Sequence, residues 1–147
     1  MEYWKFKAID KLKDYTAKQA AVINIPQEIL MLKSKAESIR SATTDGTPVV
    51  GGGSAREEML LSNIVRQEEL TAMLKRAKIS VKIVDNALDA ISEDERYVLE
   101  KMYINRSKGA VERLQDEYGL EDARSVYKRA DKALTHFTLA LYGLTES

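Results

Sequence analysis

The chain contains no cysteine among its 147 residues, and this absence removes several kinds of chemistry. Disulfide bonds, thiolate metal sites and cysteine nucleophiles all depend on that side chain. A chain without disulfides suits a reducing compartment, so we expect a cytoplasmic protein.

Proline and glycine are also scarce, with two and seven residues respectively. Because these residues interrupt helices most strongly, their scarcity predicts an all-α protein. No apolar run approaches the roughly 18 residues of a membrane span. The start, "MEYWKFKAIDKLKDY", is charged throughout and lacks the apolar core of a signal peptide. We therefore expect no membrane partner.

Groups suited to catalysis or metal binding are few. His136 is the one histidine, and a lone histidine without cysteine is not a metal site. Carboxylates such as Glu93, Asp94 and Glu95 stand at a predicted helix start, where they favour the helix dipole. We expect no enzyme activity, no metal and no cofactor.

The formal net charge of the chain is zero. Residues 1–85 carry 14 Lys+Arg against 11 Asp+Glu, and residues 86–147 carry 9 against 12, which gives +3 and −3. A long-range attraction of the whole chain to nucleic acid is excluded, so any DNA-binding surface has to be local.

The amino-terminal part predicts two helices. Apolar residues at spacings of three and four indicate a helix from about Tyr3 to Ile23. Pro26 is expected to end this helix and to begin a second one, which runs to about Ser41.

The stretch "DGTPVVGGGSAREE" that follows raises the question of a phosphate-binding loop. Such a loop needs a preceding strand and Lys-Ser/Thr after its last glycine, and both are missing. Ser54 and Glu57 instead predict a capping box that starts the long middle helix. Residues 43–54 are therefore predicted to be the bend of a helical hairpin. Docking of Gly51, Gly52 and Gly53 on polymerase or DNA is a further hypothesis.

The middle helix carries a heptad seam, with core-type positions that alternate in spacings of three and four. One interpretation is packing against the chain's own first helices, and the other is a coiled-coil homodimer with a second copy. The seam consists of Leu60, Asn63, Gln67, Leu70, Leu74, Ala77, Val81, Val84, Leu88 and Ile91.

The carboxy-terminal third predicts three more helices. Ser92 and Glu95 form a capping box at the first, Gly119 ends the second, and Asp122 caps the third. A short helix, a glycine turn and a second helix are the pattern of a helix-turn-helix.

Residues 124–132 hold four Lys/Arg against one Asp, a local net charge of +3. The exposed side of the last helix predicts DNA contacts through Arg124, Ser125, Tyr127, Lys128, Arg129 and Lys132. Phosphate contacts are predicted for Ser107, Lys108 and Arg113.

The segment "LDAISEDERYVLEKMYINRSKGAVERLQDEYGL" with "SVYKRADKAL" resembles the promoter-reading carboxy-terminal domain, region 4, of sigma-70-type factors. Over nearly its full length the chain resembles phage and prophage transcriptional regulators of the RinA/ArpU type, through "SIRSATTDGTPVVGGGS", "VYKRADKAL" and "FTLALYG". It departs from the usual helix-turn-helix in three ways. Gln115 stands where a small residue is expected, Arg129 stands where an apolar residue is expected, and the turn is one residue longer.

The resemblance implies an amino-terminal helical hairpin or coiled-coil region, residues 1–87, and a helix-turn-helix domain, residues 88–147. It implies a phage-encoded, sigma-factor-like regulator of late genes that binds double-stranded promoter DNA with host RNA polymerase, in the cytoplasm of a bacterial host. Two alternatives stand beside it. One is a DNA-packaging protein like a small terminase subunit, and the other is a helical polymerase-binding adaptor that does not bind DNA.

Overall fold

The structure is a computed structural model that describes residues 2–42 and 52–144. This part of the chain is all-helical and contains no strand, as the sequence predicts. The helices are α1 (Tyr3–Ser41), α2 (Gly52–Asp89), α3 (Glu93–Leu99), α4 (Ala110–Glu117) and α5 (Ala123–Tyr142). A π-helical segment, Glu100–Ile104, continues α3. None of the described helices is long and apolar enough to cross a membrane.

The predicted helix break at Pro26 is wrong, because α1 runs through this residue. Proline in a helix interior removes one hydrogen bond and crowds the preceding turn, but it does not forbid the conformation. Ile25 and Ala36, on either side of it, are buried. Tertiary packing of α1 therefore outweighs the local preference of one residue.

The predicted start of α2 is also wrong by a short distance. The helix begins at Gly52, so Ser54 lies inside its first turn and does not occupy the N-cap. Most of the predicted bend, residues 43–51, lies outside the described residues. The hypothesis that Gly51 docks on polymerase or DNA also concerns a residue outside the described ones.

All ten positions of the heptad seam are buried or half-buried within the single chain. Asn63, the most deeply buried polar seam residue, donates from Nδ2 to the backbone oxygen of Leu32 in α1 at 2.8 Å. Gln67 in turn donates to Oδ1 of Asn63 at 2.6 Å. The seam thus packs against the chain's own first helix, and a homodimer through it would have to displace these contacts.

The chain divides into two compact units. Unit 1 consists of Met1–Gln19 and Ile79–Ser147, and unit 2 consists of Ala20–Lys78. This division differs from the boundary between residues 87 and 88 that the sequence suggests, because the beginning of α1 and the end of α2 pack with the last three helices. Tyr15 of α1 donates its hydroxyl to Asp85 of α2 inside unit 1. Burial and this hydrogen bond raise the pKa of Tyr15 to about 12.

Unit 1 contains two hydrophobic clusters that hold α5 in place. The first joins α1, α2, α3 and α5, and its buried residues include Leu12, Leu88, Leu99 and Phe137. The second joins α3, α4 and α5 through Val98, Met102, Val111, Leu114, Val126 and Ala130. Because the buried residues of α5 belong to both clusters, its opposite side is left to solvent.

The start of α3 is the predicted capping box. The Ser92 hydroxyl accepts from the backbone N–H of Glu95 at 3.2 Å, and the Glu95 carboxylate accepts from the backbone N–H of Ser92 at 3.3 Å. The π-helical segment that ends this helix has no counterpart in the sequence analysis. A π-helical turn contains one residue more than an α-helical turn, so it changes the direction of the side chains that follow Leu99. Met102 is nevertheless buried.

Candidate nucleic-acid interface

The turn between α4 and α5 is built by Gly119, which has a φ of +61°. The N–H of Gly119 donates to the oxygen of Asp116 at 3.3 Å, and the N–H of Leu120 donates to that of Gln115 at 2.9 Å. These two bonds are the Schellman arrangement that ends a helix. The glycine turn predicted from the sequence is therefore present, and the backbone oxygen of Gln115 takes part in it.

The first turn of α5 is fixed by Asp122, as predicted. One carboxylate oxygen of Asp122 accepts from the backbone N–H of Ser125 at 2.9 Å and from its hydroxyl at 2.8 Å. These bonds lower the pKa of Asp122. The Ser125 hydroxyl therefore directs its hydrogen toward the Asp122 carboxylate. Its lone pairs remain free, so it can accept a further hydrogen bond but cannot donate one.

The basic side of α5 is exposed, which is where the sequence places it. Val126, Ala130 and Ala133 face the core. Because a helix turns by roughly 100° per residue, Arg124, Lys128 and Lys132 fall on the outward side. Tyr127 is also exposed, at 51%. Asp131 on the same helix pairs with Lys5 of α1 at 3.2 Å, so its negative charge is partly offset.

Arg129 differs from the other cations of α5. Its guanidinium lies over the ring of Tyr118, 4.2 Å from the centroid. Burial and the charge of Asp94 raise the pKa of Tyr118, and Arg129 opposes them. This cation–π contact joins α5 to Tyr118 at the end of α4. The charge of Arg129 is therefore directed toward the turn between the helices.

An open groove of about 530 Å³ lies between the start of α3 and the flank of α5. The α5 side of the groove is cationic and polar, and the α3 side carries Ser92, Asp94 and Glu95 with Val98 at its floor. The predicted residues Ser125, Lys128, Arg129 and Lys132 all line it. The structure thus brings four of the nine predicted site residues to one groove.

His136 extends the same side of α5, and the sequence analysis did not find its partner. Its Nδ1 contacts Oε2 of Glu95, the capping residue of α3. Burial opposes ionisation of Glu95, but the hydrogen bonds from His136 and Ser92 outweigh it and lower the pKa. The pair joins residues 41 positions apart in the chain, a separation that no local pattern reveals.

The three predicted phosphate contacts before and within α4 come together in a separate group. Arg113 donates from Nη2 to the Ser107 hydroxyl at 2.5 Å and to the backbone oxygen of Lys108 at 2.7 Å. These bonds close the turn at Gly109, whose φ of +80° precedes α4. All three residues are exposed. The guanidinium of Arg113 is thus partly used within the turn.

In the described part of the chain, no three histidine, aspartate or glutamate side chains are close enough to hold a metal ion. Comparison with known proteins adds no relative: no family model, no curated protein and no solved structure matches this chain. Any function therefore has to be argued from the residues themselves.

Proposed function

We propose that this chain is a DNA-binding transcriptional regulator in which α4, the Gly119 turn and α5 act as a helix-turn-helix. The observation that carries the proposal is the exposed basic side of α5, directly after a well-formed turn. Arg124 and Lys128 are spaced to reach base edges in the major groove, and Lys132 to reach a phosphate. Ser107 and Lys108 supply further contacts to the sugar-phosphate backbone of the DNA.

The resemblance to sigma region 4 and to regulators of the RinA/ArpU type extends this proposal to promoter DNA and host RNA polymerase. In that role the protein activates phage late genes in the bacterial cytoplasm. Arg129 has a structural role in this scheme, because its cation–π contact with Tyr118 joins α5 to the end of α4.

The test is fluorescence anisotropy with labelled duplex DNA from the region upstream of the gene, beginning at low salt. Arg124→Ala and Lys128→Ala should each weaken binding, because one bidentate contact to a base contributes about 1–3 kcal/mol. Lys75→Ala is the matched control, since Lys75 is an exposed cation on α2 in unit 2.

Equal binding by Lys75→Ala and the two α5 variants would contradict the proposed interface. No binding by the wild-type protein to any duplex at low salt would favour the adaptor that does not bind DNA. Circular dichroism of each variant shows whether the helices are retained.

The packaging alternative is favoured by a different observation, the many exposed apolar side chains of unit 2. A small terminase subunit requires a large ring, whereas a regulator requires one or two copies. The mass of the assembled protein separates these two functions.

A further inference from the structure

Within residues 124–132 of α5, Asp131 is the one acidic residue. It follows Arg124 by seven positions, which is about two helical turns, so the two residues lie on the same side of the helix. Lys128 precedes Asp131 by three positions, a spacing at which side chains on a helix are neighbours. The Asp131 side chain is 60% exposed. Its carboxylate therefore lies on the side of α5 that is proposed to meet DNA.

A carboxylate at this position opposes DNA binding in two ways. It repels the phosphates that approach the same side of the helix. It also competes with them for Lys128, because oppositely charged side chains three residues apart on a helix attract each other. An Asp131 carboxylate without another partner would therefore draw the Lys128 ammonium toward itself. In the described part of the chain Lys128 forms no ion pair, so this competition does not occur in the structure.

Lys5, in the first turn of α1, is the cation that holds Asp131. Its Nζ donates to Oδ1 of Asp131 at 3.2 Å. The Lys5 side chain is only 13% exposed, so its surroundings restrict it far more than those of a typical surface lysine. The preceding residue, Trp4, packs against Tyr142 of α5 with the ring centroids 4.8 Å apart. The start of α1 is thus fixed against α5 beside the ion pair, within unit 1.

We infer that Lys5 is a positioning residue of the DNA interface. By holding the Asp131 carboxylate, it leaves the Lys128 ammonium available for DNA, and it does not itself contact the duplex. The inference rests on the proposed function of α5. It gives the start of α1 a part in an interface that otherwise consists of α4, the turn and α5.

The first experiment measures DNA binding by anisotropy for Lys5→Ala, Asp131→Asn and the protein that carries both changes. Lys5→Ala should weaken binding about two- to fivefold, the range that corresponds to one exposed ion pair between Asp131 and Lys128. Asp131→Asn should bind at least as tightly as the wild type. The double variant should bind as Asp131→Asn does, because no carboxylate is left to compete. A purely structural ion pair predicts the opposite, since each single change would then weaken binding and their combination would not restore it.

Two further variants separate the ion pair from the loss of charge. Lys7→Ala removes the same charge from the start of α1, and Lys7 points about 200° away from Lys5. Its Nζ lies over the ring of Tyr3, 5.5 Å from the centroid. This variant should bind DNA as the wild type does. Lys5→Arg keeps the cation and should also keep the wild-type affinity. Urea unfolding of each variant shows whether the fold is retained.

The second experiment measures the availability of Lys128 without DNA. Limited acetylation with N-hydroxysuccinimide acetate, read by peptide mass spectrometry, requires the uncharged amine, and a nearby carboxylate favours the ammonium form. Lys128 should therefore react more slowly in the Lys5→Ala protein than in the wild type. Addition of Asp131→Asn should restore its rate. Lys75, an exposed lysine in unit 2, is the internal reference.

Wild-type affinity of the Lys5→Ala protein would overturn the inference, as would a double variant that binds DNA more weakly than Asp131→Asn. An unchanged acetylation rate of Lys128 in the Lys5→Ala protein would overturn it too. A wild-type protein that binds no duplex at low salt would instead overturn the proposed function and, with it, any role of Lys5 at DNA. Slower acetylation of Lys128 in that case would still support the hold of Lys5 on Asp131, so the two failures are distinguishable.

Discussion

Lys128 and Arg129 are neighbours in the sequence, but they have different surroundings on α5. Lys128 is exposed toward the groove, whereas the guanidinium of Arg129 lies over the Tyr118 ring. Arg129→Ala should lower the free energy of unfolding by about 0.5–1 kcal/mol, the usual contribution of an exposed cation–π contact. Lys128→Ala should leave stability nearly unchanged and weaken DNA binding. Urea unfolding measures the first effect and anisotropy the second, and a reversal of the two effects would contradict this division of roles.

Glu95 connects the start of α3 to His136 of α5, and its lowered pKa has a consequence for stability in acid. A carboxyl whose pKa is lower in the folded state stabilises the fold fully above its unfolded pKa, about 4.3. That contribution is lost as the pH falls through the folded pKa. The free energy of unfolding should therefore decrease below pH ~4 more steeply for the wild type than for Glu95→Gln.

The measurement is a series of urea unfolding curves from neutral to acidic pH. Glu93→Gln is the control, because Glu93 is an exposed carboxylate at the same helix start. The Glu93→Gln protein should show the wild-type dependence on pH. If the Glu95→Gln protein showed it as well, the ionised Glu95 carboxylate and its contacts with His136 and Ser92 would have no energetic role.

At the scale of elements, α1 contains the clearest local conflict, because Pro26 lies inside a helix of 39 residues. Proline has no N–H for the oxygen of Val22, and its ring crowds the preceding turn. Pro26→Ala should raise the free energy of unfolding by about 1–2 kcal/mol, since the flexibility gained by the unfolded chain offsets part of a penalty of about 3 kcal/mol. Gln27→Ala, an exposed neighbour, should change it by a few tenths. A destabilised Pro26→Ala protein would mean that the helix depends on the ring.

The helix caps and the Gly119 turn show where sequence analysis is reliable, and Pro26 shows where it is not. The Ser92 and Asp122 caps and the Gly119 turn were predicted correctly, because each is decided by residues within one turn of the chain. Pro26 was misjudged because packing outweighed a local preference. The contacts of Arg129 with Tyr118 and of His136 with Glu95 were not predicted, since they depend on how α3, α4 and α5 pack.

At the scale of the whole molecule the chain is neutral, and residues 124–132 of α5 carry a local net charge of +3. A protein of this kind has little long-range attraction to DNA, so its binding depends on the few phosphates that its cations neutralise. Each neutralised phosphate contributes about −0.9 to the slope of log K against log salt.

Phosphate contacts through Lys108 and Lys132 predict a slope of about −2 for one copy on duplex DNA and about −4 for two copies. Lys132→Ala should make the slope less steep by about 1 per copy without changing sequence preference, because it removes a phosphate contact only. Lys75→Ala should leave the slope unchanged. Anisotropy titrations from low to moderate salt give these slopes. A slope near zero with the wild type would mean that α5 does not bind the phosphate backbone.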